Sequence, residues 1–597
     1  MKKIFLFPLS VLMMITLCGS VSAEMQQEPD AVYHQIVKEY TINEDGSYDL
    51  HYFKELELKS HYAFNQLYGE TFVVYNPDYQ ELKINEAYTI MADGKKTPSP
   101  ENAFNEVLPR QAANFPDYGH LKEMVITHTG LEVGATIYLD YNLKTSAEMF
   151  NGFSFKEMLR KRVPVQNLKV IVHTPEDYEL DYRVNNLRTG PEIEETERGK
   201  TYTWQFKSLE PLLQEGNACE NTKEWLAIQS GDGVKSQLDL ESLQSPLPKE
   251  LAKKADELSE KAKNQPEAVN MIYSYLAENI DASPLQQKYT GKRTRNSETV
   301  WQSNVATVME RSVLLSSMLN KAGISAMPAL LLEKGALPVI EDNHQVLVKA
   351  DLKEDMPLLL PLSKSFAKNL YYKHEGKELI PLQKGKTEQR IKIEPRKNAY
   401  KLSATFSLSQ DTITGNGEIM LMHAMNPSLQ IRKDKKYLKK IILNLKPGEI
   451  SINQLSTATS EAGFDYKAHI SEVTEEQFGL LNFTLPAVEG SITEQNLTLW
   501  SERITPFEIP FPMHGQTEFT FHLNGIECIN KSFEQELSSD VGKVSVKMDV
   551  NSDKVTIEKT FSLNKRCYNP LEYNEVRRIL RVYNSKNTNK LIIKEKD

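Results

Sequence analysis

Short runs of alternating apolar and polar residues, separated by turn residues, dominate the chain between about residues 30 and 210. The runs 40–42 and 47–52 flank an Asp-Gly pair that ends at Gly46, and such a pair supplies the positive φ angles that a tight hairpin turn needs. Regular short strands of this kind are typical of a β-sandwich. The pattern therefore predicts a β-sandwich-like N-terminal domain over residues 24–215.

The apolar period changes to that of helices near residue 245, after a linker predicted at residues 216–244. Pro248 and Pro266 each introduce a segment in which apolar residues recur at helical spacing on one face. This change of period predicts a second domain, of mixed helices and strands, over residues 245–390.

The second half of this central domain contains one more helix and two strands. The helix is predicted over about residues 307–321 and ends before Gly323, a residue type favoured just after helix C-termini. The runs 324–330 and 345–348 alternate like a pair of neighbouring strands.

Strand patterns return in a third region, predicted as a β-rich C-terminal domain over residues 391–597. A turn at 414–417 is predicted to join two strands into a hairpin. A terminal helix is predicted at 571–582, where Val576, Ile579 and Leu580 share one face. The predicted fold class is therefore multidomain α+β.

The first residues have the pattern of a secretory signal. Two lysines precede an apolar stretch, and small residues lead to Ala23, so we expect residues 1–23 to be removed and the chain to be exported to the periplasm or cell envelope. A lipoprotein signal at Cys18 is the alternative, although Leu17 stands where a small residue is usual. No later segment is apolar enough for a membrane span, which predicts a protein that is not integral to the membrane.

Charge and cysteine content narrow the function classes. A formal net charge of -10 and a pI of about 5.8 argue against nucleic-acid binding. Cysteine and histidine spacings include no CxxC or HExxH pattern, so neither a metal nor another cofactor is predicted. Three cysteines follow the signal, and Cys528 and Cys567 are the predicted disulfide because both lie in the last domain, which leaves Cys219 unpaired.

The central domain carries two short motifs in a defined order. The third helix contains residues 309–315 and closes with Ala322-Gly323-Ile324, and Asn343-His344 precedes the second strand. Two helices, a polar loop, this helix, a strand and the histidine motif together resemble the transglutaminase-like superfamily. That resemblance implies a papain-like core with a cysteine at the start of the main helix, a histidine opening the next strand and an aspartate on the strand after it.

The flanking regions carry a resemblance of their own. Residues 30–215 resemble the β-rich domain of unknown function numbered 3857, which precedes transglutaminase-like cores in envelope proteins of the Bacteroidetes type. The last domain resembles the usual C-terminal β companion of that domain.

The family's catalytic positions are only partly retained in this sequence. A cysteine at a helix N-terminus is activated because the helix dipole and unpaired N–H groups stabilise its thiolate. Val308 stands at that position, Leu360 stands at the aspartate position, and His344 alone is retained. An imidazole without a nucleophile cannot carry out acyl transfer, which predicts a pseudoenzyme.

Two function hypotheses follow. The first is a non-catalytic exported protein that binds a peptide, a protein or a cell-envelope partner, such as an active transglutaminase-like relative. Its predicted ligand-binding residues surround the cleft in which the family holds its catalytic residues, and the basic ones could steer an acidic ligand into that cleft. These residues are His344, Asn343, Thr307, Arg293 and Arg295. The alternative is a divergent amide hydrolase or acyl transferase that recruits its nucleophile from Cys219, Thr307 or Ser303.

Overall fold

The computed structural model describes residues 28–213, 215–219, 222–231, 233–340, 345–353, 358–360, 362, 371–383, 390–393, 397–409, 412–427, 435–458, 460–470, 476–477, 480–491 and 501–596. The predicted signal with Cys18 and Ala23 lies outside these residues. Within them, no helix has the length and apolar character needed to cross a membrane.

The N-terminal domain is built from strands. From β1 to β14 they are Ala31–Ile42, Tyr48–Leu58, Glu70–Tyr75, Gln80–Ile90, Lys96–Pro98, Phe104–Val107, Lys122–Thr127, Thr136–Thr145, Ser154–Met158, Val165–Thr174, Leu180–Asn185, Glu192–Thr196, Gly199–Leu209 and Trp225–Ser230. One sheet has eight strands in the order β12-β13-β10-β1-β2-β8-β4-β5, and two three-stranded sheets have the orders β11-β14-β9 and β3-β7-β6. The predicted first hairpin is confirmed, because β1 and β2 pair antiparallel and Gly46 has a φ of 85°.

Both small sheets cover the same face of the large one. Tyr40 on β1 lies beside Leu50 on β2, and Leu50 lies beside Leu143 on β8, so the inward row runs across the sheet. Tyr40 packs in a cluster with β14, whereas Leu139, further along the inward side of β8, packs with β3 and β7. The result is a layered, sandwich-like arrangement whose core lies between the sheets.

The predicted linker at residues 216–244 is wrong in one respect, because it contains β14, the central strand of its sheet. All six residues of β14 are buried. Leu226 and Ile228 pack in the N-terminal core, and Trp225 and Ala227 pack in the central core. A strand with both faces covered shows no apolar–polar alternation, so the sequence pattern did not predict β14.

The central domain packs helices against an antiparallel sheet. Its helices α1 to α5 are Lys249–Lys261, Gln265–Asn279, Gln287–Thr290, Ser297–Ser303 and Val308–Lys321. Its strands β15 to β21 are Asp281–Ala282, Val305–Ala306, Ser325–Leu332, Val346–Asp351, Leu358–Leu360, Glu378–Pro381 and Ile391–Lys392. The five-stranded sheet has the order β19-β18-β17-β20-β21. The three predicted helices and the pairing of β17 with β18 are confirmed, and Gly323 follows α5 with a φ of 75°.

The C-terminal domain is a second strand-rich unit. Its strands β22 to β37 are Ala399–Leu408, Ile413–Met422, Ile442–Leu443, Ile450–Thr457, Glu461–Ile470, Glu476–Gln477, Leu480–Thr484, Ala487–Val488, Phe507–Glu508, Met513–Leu523, Ile526–Cys528, Phe533–Ser539, Gly542–Val550, Lys554–Leu563, Cys567–Tyr568 and Lys590–Glu595. Its helices α6 to α8 are Lys435–Ile441, Pro570–Tyr583 and Lys586–Asn589. The main sheet has the order β25-β26-β23-β22-β31-β35-β34-β33.

The boundary and the last helix of this domain can be compared with their predictions. The predicted start at residue 391 is a few residues early, because β21 pairs with β20 and so completes the central sheet. The terminal helix is confirmed as α7, and Val576, Ile579 and Leu580 are buried. This helix covers the inner face of the main sheet, since all three residues belong to its core.

The predicted hairpin exists, but its turn is misplaced. Strands β22 and β23 pair from Leu408↔Ile413, so the connection is 409–412 and not 414–417. Gly415 and Gly417 lie inside β23 instead. A Cβ on Gly415 would lie 2.4 Å from the ring of Phe406, and one on Gly417 would lie 2.3 Å from the ring of Tyr466. These glycines therefore make room for aromatic rings and do not form a turn.

The predicted Cys528–Cys567 disulfide is wrong, because Cys567 bonds Cys219 and Cys528 is free. The segment around Cys219 lies along β30, and the Cys219 N–H donates to the Pro506 carbonyl at 3.1 Å. Strand β30 pairs with β36, which places Glu508 beside Cys567. Residues 348 apart in sequence thus meet because the segment after the first domain docks on the last one, a long-range contact that cysteine spacing cannot reveal.

Candidate functional site

The N-terminus of α5 is the position where the resemblance places a nucleophile. The helix begins at Val308, whose side chain is partly buried against the central core. Thr307 is the N-cap: its Oγ1 accepts from the Glu310 N–H at 3.3 Å, and the Glu310 carboxylate accepts from the Thr307 N–H at 2.8 Å. This reciprocal capping box satisfies two of the backbone N–H groups that a helix start leaves unpaired.

Glu310 also forms a two-pronged ion pair with Arg295. The Nε and one terminal nitrogen of the guanidinium each donate to a different carboxylate oxygen at 2.9 Å, and the Arg295 backbone N–H donates at 3.0 Å. Asp117, the Val305 carbonyl and the Ser303 hydroxyl accept the remaining guanidinium bonds. Burial lowers the pKa of Arg295, but hydrogen bonding and charge attraction from Glu310 outweigh it and hold that pKa above its ordinary value.

A residue of the N-terminal domain completes this cluster. The hydroxyl of Tyr118 lies 3.0 and 3.1 Å from the two Glu310 oxygens, and the Arg295 guanidinium lies 4.8 Å from the centre of the Tyr118 ring. Burial, followed by the Glu310 charge, raises the pKa of Tyr118. Ala112 and Leu121 of the same loop pack on Leu285. The loop therefore covers the start of α5 and keeps the Tyr118 hydroxyl in its donating form.

Leu360, the residue predicted at the family's third catalytic position, is buried in the sheet. Leu360 ends β19, pairs with Val348 on β18 and has no exposed surface. Its neighbours Leu358 and Leu359 are equally buried, so β19 carries no carboxylate in any register. His344 and Asn343 lie outside the described residues.

The structure brings only some of the predicted binding residues together. Thr307 and Arg295 meet at Glu310, where their polar atoms are engaged in the bonds above. Arg293 lies on the surface and forms an ion pair with Asp239 at 3.1 Å. Sequence reasoning did not find Tyr118, because nothing in a loop 192 residues upstream of Glu310 signals that it reaches this helix.

The predicted substitute nucleophiles all have structural bonds. Cys219 is disulfide-bonded and 1% exposed. The Ser303 hydroxyl lies within hydrogen-bond distance of the Val300 and Val305 carbonyls, at 3.2 and 3.3 Å. Among the described residues, one group of three possible metal ligands lies close together, Cys219, Glu508 and Cys567, and two of these are the disulfide. A metal there would first require reduction of that bond.

Comparison with known proteins adds two domain matches and one fold match. Residues 44–212 match the model of a domain of unknown function with a solved structure, DUF3857, and residues 480–593 match that of another, DUF3858. No curated protein matches the chain. The fold is similar to the crystal structure of a protein described as a putative protease from Parabacteroides distasonis. The two are 25% identical over 94% of this chain and 99% of that one, with a TM-score of 0.71.

The two domain matches test the resemblance of the flanking domains. The first match lies inside residues 24–215, which confirms the resemblance to the domain numbered 3857, and the second lies inside residues 391–597. The likeness to a protease structure spans the central domain as well, and it supports the transglutaminase-like resemblance of that domain.

Proposed function

We propose that this chain is an exported, non-catalytic transglutaminase-like protein that binds a peptide, protein or cell-envelope partner. The observation that carries the proposal is Val308 at the first position of α5. Two methyl groups offer neither a lone pair for attack nor a proton to transfer. Acyl transfer and amide hydrolysis by this family's chemistry both begin with such an attack.

The surroundings of Val308 support the same conclusion. An active thiolate needs unpaired N–H groups and the positive end of the helix dipole. Here the Glu310 carboxylate already accepts from the Thr307 N–H and carries the negative charge near that end. The buried Leu360 likewise leaves no acid to orient an imidazole.

Peptide binding is the retained role that the fold favours. The similar structure is described as a putative protease, and a protease cleft is shaped to hold an extended peptide. Without a nucleophile the same cleft would hold a peptide without cutting it. We infer that His344, Asn343 and the exposed Arg293 contact this ligand, which could belong to an active transglutaminase-like relative.

The proposed location rests on two features. Residues 1–23 have the pattern of a secretory signal. Cys219 and Cys567 form a disulfide, and disulfides persist in the oxidising compartments outside the cytosol. Both support a periplasmic or envelope-associated protein.

Activity assays on Val308 variants test the loss of catalysis. Wild type, Val308→Cys, Val308→Ala and His344→Ala are compared on peptide amide and acyl-transfer substrates. We expect no turnover by wild type, Val308→Ala or His344→Ala. Turnover by Val308→Cys would show that only the nucleophile was lost. Turnover by wild type that disappears in His344→Ala contradicts the proposal and favours the enzyme with a recruited nucleophile.

Binding is tested separately with a labelled acidic peptide and fluorescence anisotropy. We expect Arg293→Ala to weaken binding several-fold, because an exposed cation near the cleft mainly assists encounter and charge complementarity. Arg188→Ala, an exposed arginine of the N-terminal domain, is the matched control and should bind like wild type. Equal binding by both variants would remove Arg293 from the proposed site.

A further inference from the structure

A lysine interrupts the apolar inner face of the C-terminal domain. Along β35 the inward residues are Val555, Ile557, Lys559, Phe561 and Leu563, and all five are buried. Lys559 is 3% exposed and lies beside Thr517 on β31 and Val546 on β34. An ammonium group therefore occupies a position where strand alternation requires an apolar residue.

The contacts of Lys559 leave its charge without a counterion. Its Nζ donates to the Tyr583 carbonyl at 3.4 Å and to the Asn589 side-chain oxygen, and both acceptors are neutral. No ion pair within the described part of the chain involves Lys559. Desolvation by burial lowers the pKa of Lys559 to about 7.

Lys559 lines a cavity of about 290 Å³ beneath the C-terminus of α7. Apolar walls are supplied by Pro486, Val488 and Phe519. Its polar lining includes Tyr400, Thr517, Lys559, Tyr583, Asn584 and Asn589. This volume lies at the lower limit of about 300 Å³ for ligand pockets, so the cavity suits only a small molecule or the end of a chain.

Two further groups in the cavity are arranged for a ligand. The hydroxyls of Tyr400 and Tyr583 lie 2.6 Å apart, and the Thr517 hydroxyl lies 3.3 Å from that of Tyr583, so the three can reorient as one chain. The side-chain oxygen of Asn584 is buried and has no hydrogen-bond partner among the described residues. A buried acceptor without a donor costs free energy that a bound N–H or O–H group would recover.

We propose that this cavity binds a small monocarboxylate that carries an N–H or O–H donor next to its carboxyl group. The carboxylate would accept from Lys559 and the hydroxyl chain, and the neighbouring donor would bond the Asn584 oxygen. A small apolar side chain would pack on Pro486, Val488 and Phe519. The C-terminal residue of a peptide has this chemistry, and so does a free amino acid whose amine binds in its neutral form.

The positive charge of Lys559 favours a monocarboxylate over other anions. Among the described residues that line the cavity, Lys559 is the one basic residue. One ammonium neutralises one carboxylate, whereas a phosphate dianion would remain half unpaired in a buried site, at high cost. The proposal is independent of the central helix and of any catalysis there.

Isothermal titration calorimetry on the full chain tests the proposal with three probes. L-Alanine represents a free amino acid, N-acetyl-L-alanine represents a peptide C-terminus, and L-alaninamide lacks the carboxylate. We expect heat from at least one of the first two and none from L-alaninamide. Binding of N-acetyl-L-alanine alone identifies a peptide C-terminus as the ligand, and binding of L-alanine alone identifies a free amino acid.

Two variants assign the binding to this cavity. Lys559→Met should abolish binding while the chain stays folded, because an apolar residue fits the inward row of β35. Lys543→Met, an exposed lysine on the neighbouring β34, should bind like wild type. Thr517→Val should weaken binding about tenfold, through the loss of one hydroxyl. Equal binding by wild type and Lys559→Met, or no binding of any probe to wild type, overturns the proposal and leaves Lys559 as a tether for the end of α7.

Discussion

Two buried charged sites of this molecule lie at helix ends and differ in whether the charge is balanced. At the start of α5, Arg295 and Glu310 neutralise each other through paired hydrogen bonds, and Tyr118 and Thr307 occupy further bonding positions of the carboxylate. At the end of α7, the Lys559 ammonium contacts the Tyr583 carbonyl, the Asn589 side-chain oxygen and the Tyr583 ring, and it meets no carboxylate among the described residues.

The difference separates a structural cluster from a candidate binding site. When the donors and acceptors of a buried ion pair are all engaged, none remains to bind a ligand. A single buried charge, by contrast, is costly until an opposite charge arrives. The position where the resemblance places a nucleophile is thus occupied by structural bonds, whereas the cavity in the C-terminal domain contains an unbalanced charge.

The largest expected loss of stability comes from removing one partner of the buried ion pair at the start of α5. In Arg295→Met the Glu310 carboxylate stays buried but loses its counterion. We therefore expect the free energy of unfolding to fall by about 3–5 kcal/mol. Urea unfolding monitored by fluorescence measures it. Arg295→Met combined with Glu310→Leu should recover much of the loss, because the double variant buries no charge.

An exposed pair provides the control for this experiment. Arg293→Met breaks the surface ion pair with Asp239, where solvent screening limits the expected loss to about 1 kcal/mol or less. If Arg295→Met costs no more than Arg293→Met, the cluster at α5 is not the balanced buried pair described above.

The disulfide that joins the segment after the first domain to the last domain should have the next largest effect. Cys219→Ser or Cys567→Ser is expected to lower the free energy of unfolding by about 2–4 kcal/mol, because the cross-link restricts the unfolded chain. Cys528→Ser is the matched control and should change it little, since Cys528 forms no disulfide. A loss in Cys528→Ser equal to that in Cys567→Ser would contradict the observed pairing.

The buried Lys559 should make the stability of the protein depend on pH. Lys559 has a pKa of about 7 in the folded protein and an ordinary value of 10.5 when unfolded. Above pH 7 the unfolded chain therefore binds more protons, and the stability of wild type should rise between pH 7 and 9. Lys559→Met should remove this rise and be more stable than wild type at pH 7, on the order of 1–3 kcal/mol.

Other groups around the cavity do not obscure this window. The titratable neighbours of Lys559 in the lining are Tyr400 and Tyr583, and burial raises the pKa of both above 10.0. Neither therefore titrates between pH 7 and 9. Thermal unfolding across this range, with Lys543→Met as the control, measures the slope. Identical slopes in wild type and Lys559→Met would mean that Lys559 stays protonated.

The sequence predicted those features that depend on local pattern. Helix α5 with the glycine that follows it, the first hairpin and α7 all follow from short-range periodicity and turn or capping residues, and each is confirmed. Val308 could be placed at the start of α5 for the same reason. Lys559 also carried a local signal, as a charged residue at an inward position of an otherwise alternating strand.

Features that depend on long-range contact could not be predicted. Strand β14 is buried on both faces by two different domains, so it lacks the alternation that marks a half-exposed strand. The Cys219–Cys567 bond and the reach of Tyr118 to Glu310 join residues far apart in sequence. The glycines of β23 looked like turn residues because their neighbours Phe406 and Tyr466 come from other strands.

The smallest effect tests how the start of α5 is satisfied. Thr307→Ala removes the side-chain cap, and we expect a loss of about 1 kcal/mol, which Thr307→Ser should avoid. Asn569→Ala removes the corresponding cap of α7, where one side-chain oxygen accepts from both the Leu571 and Glu572 N–H groups at 2.9 Å. It should cost somewhat more than Thr307→Ala, because the Asn569 oxygen caps two N–H groups and the Thr307 hydroxyl caps one. The Glu572 and Glu310 carboxylates still accept from the N-cap N–H in both variants. Chemical denaturation compares the two variants, and a larger loss in Thr307→Ala would show that the number of capped N–H groups does not set the loss.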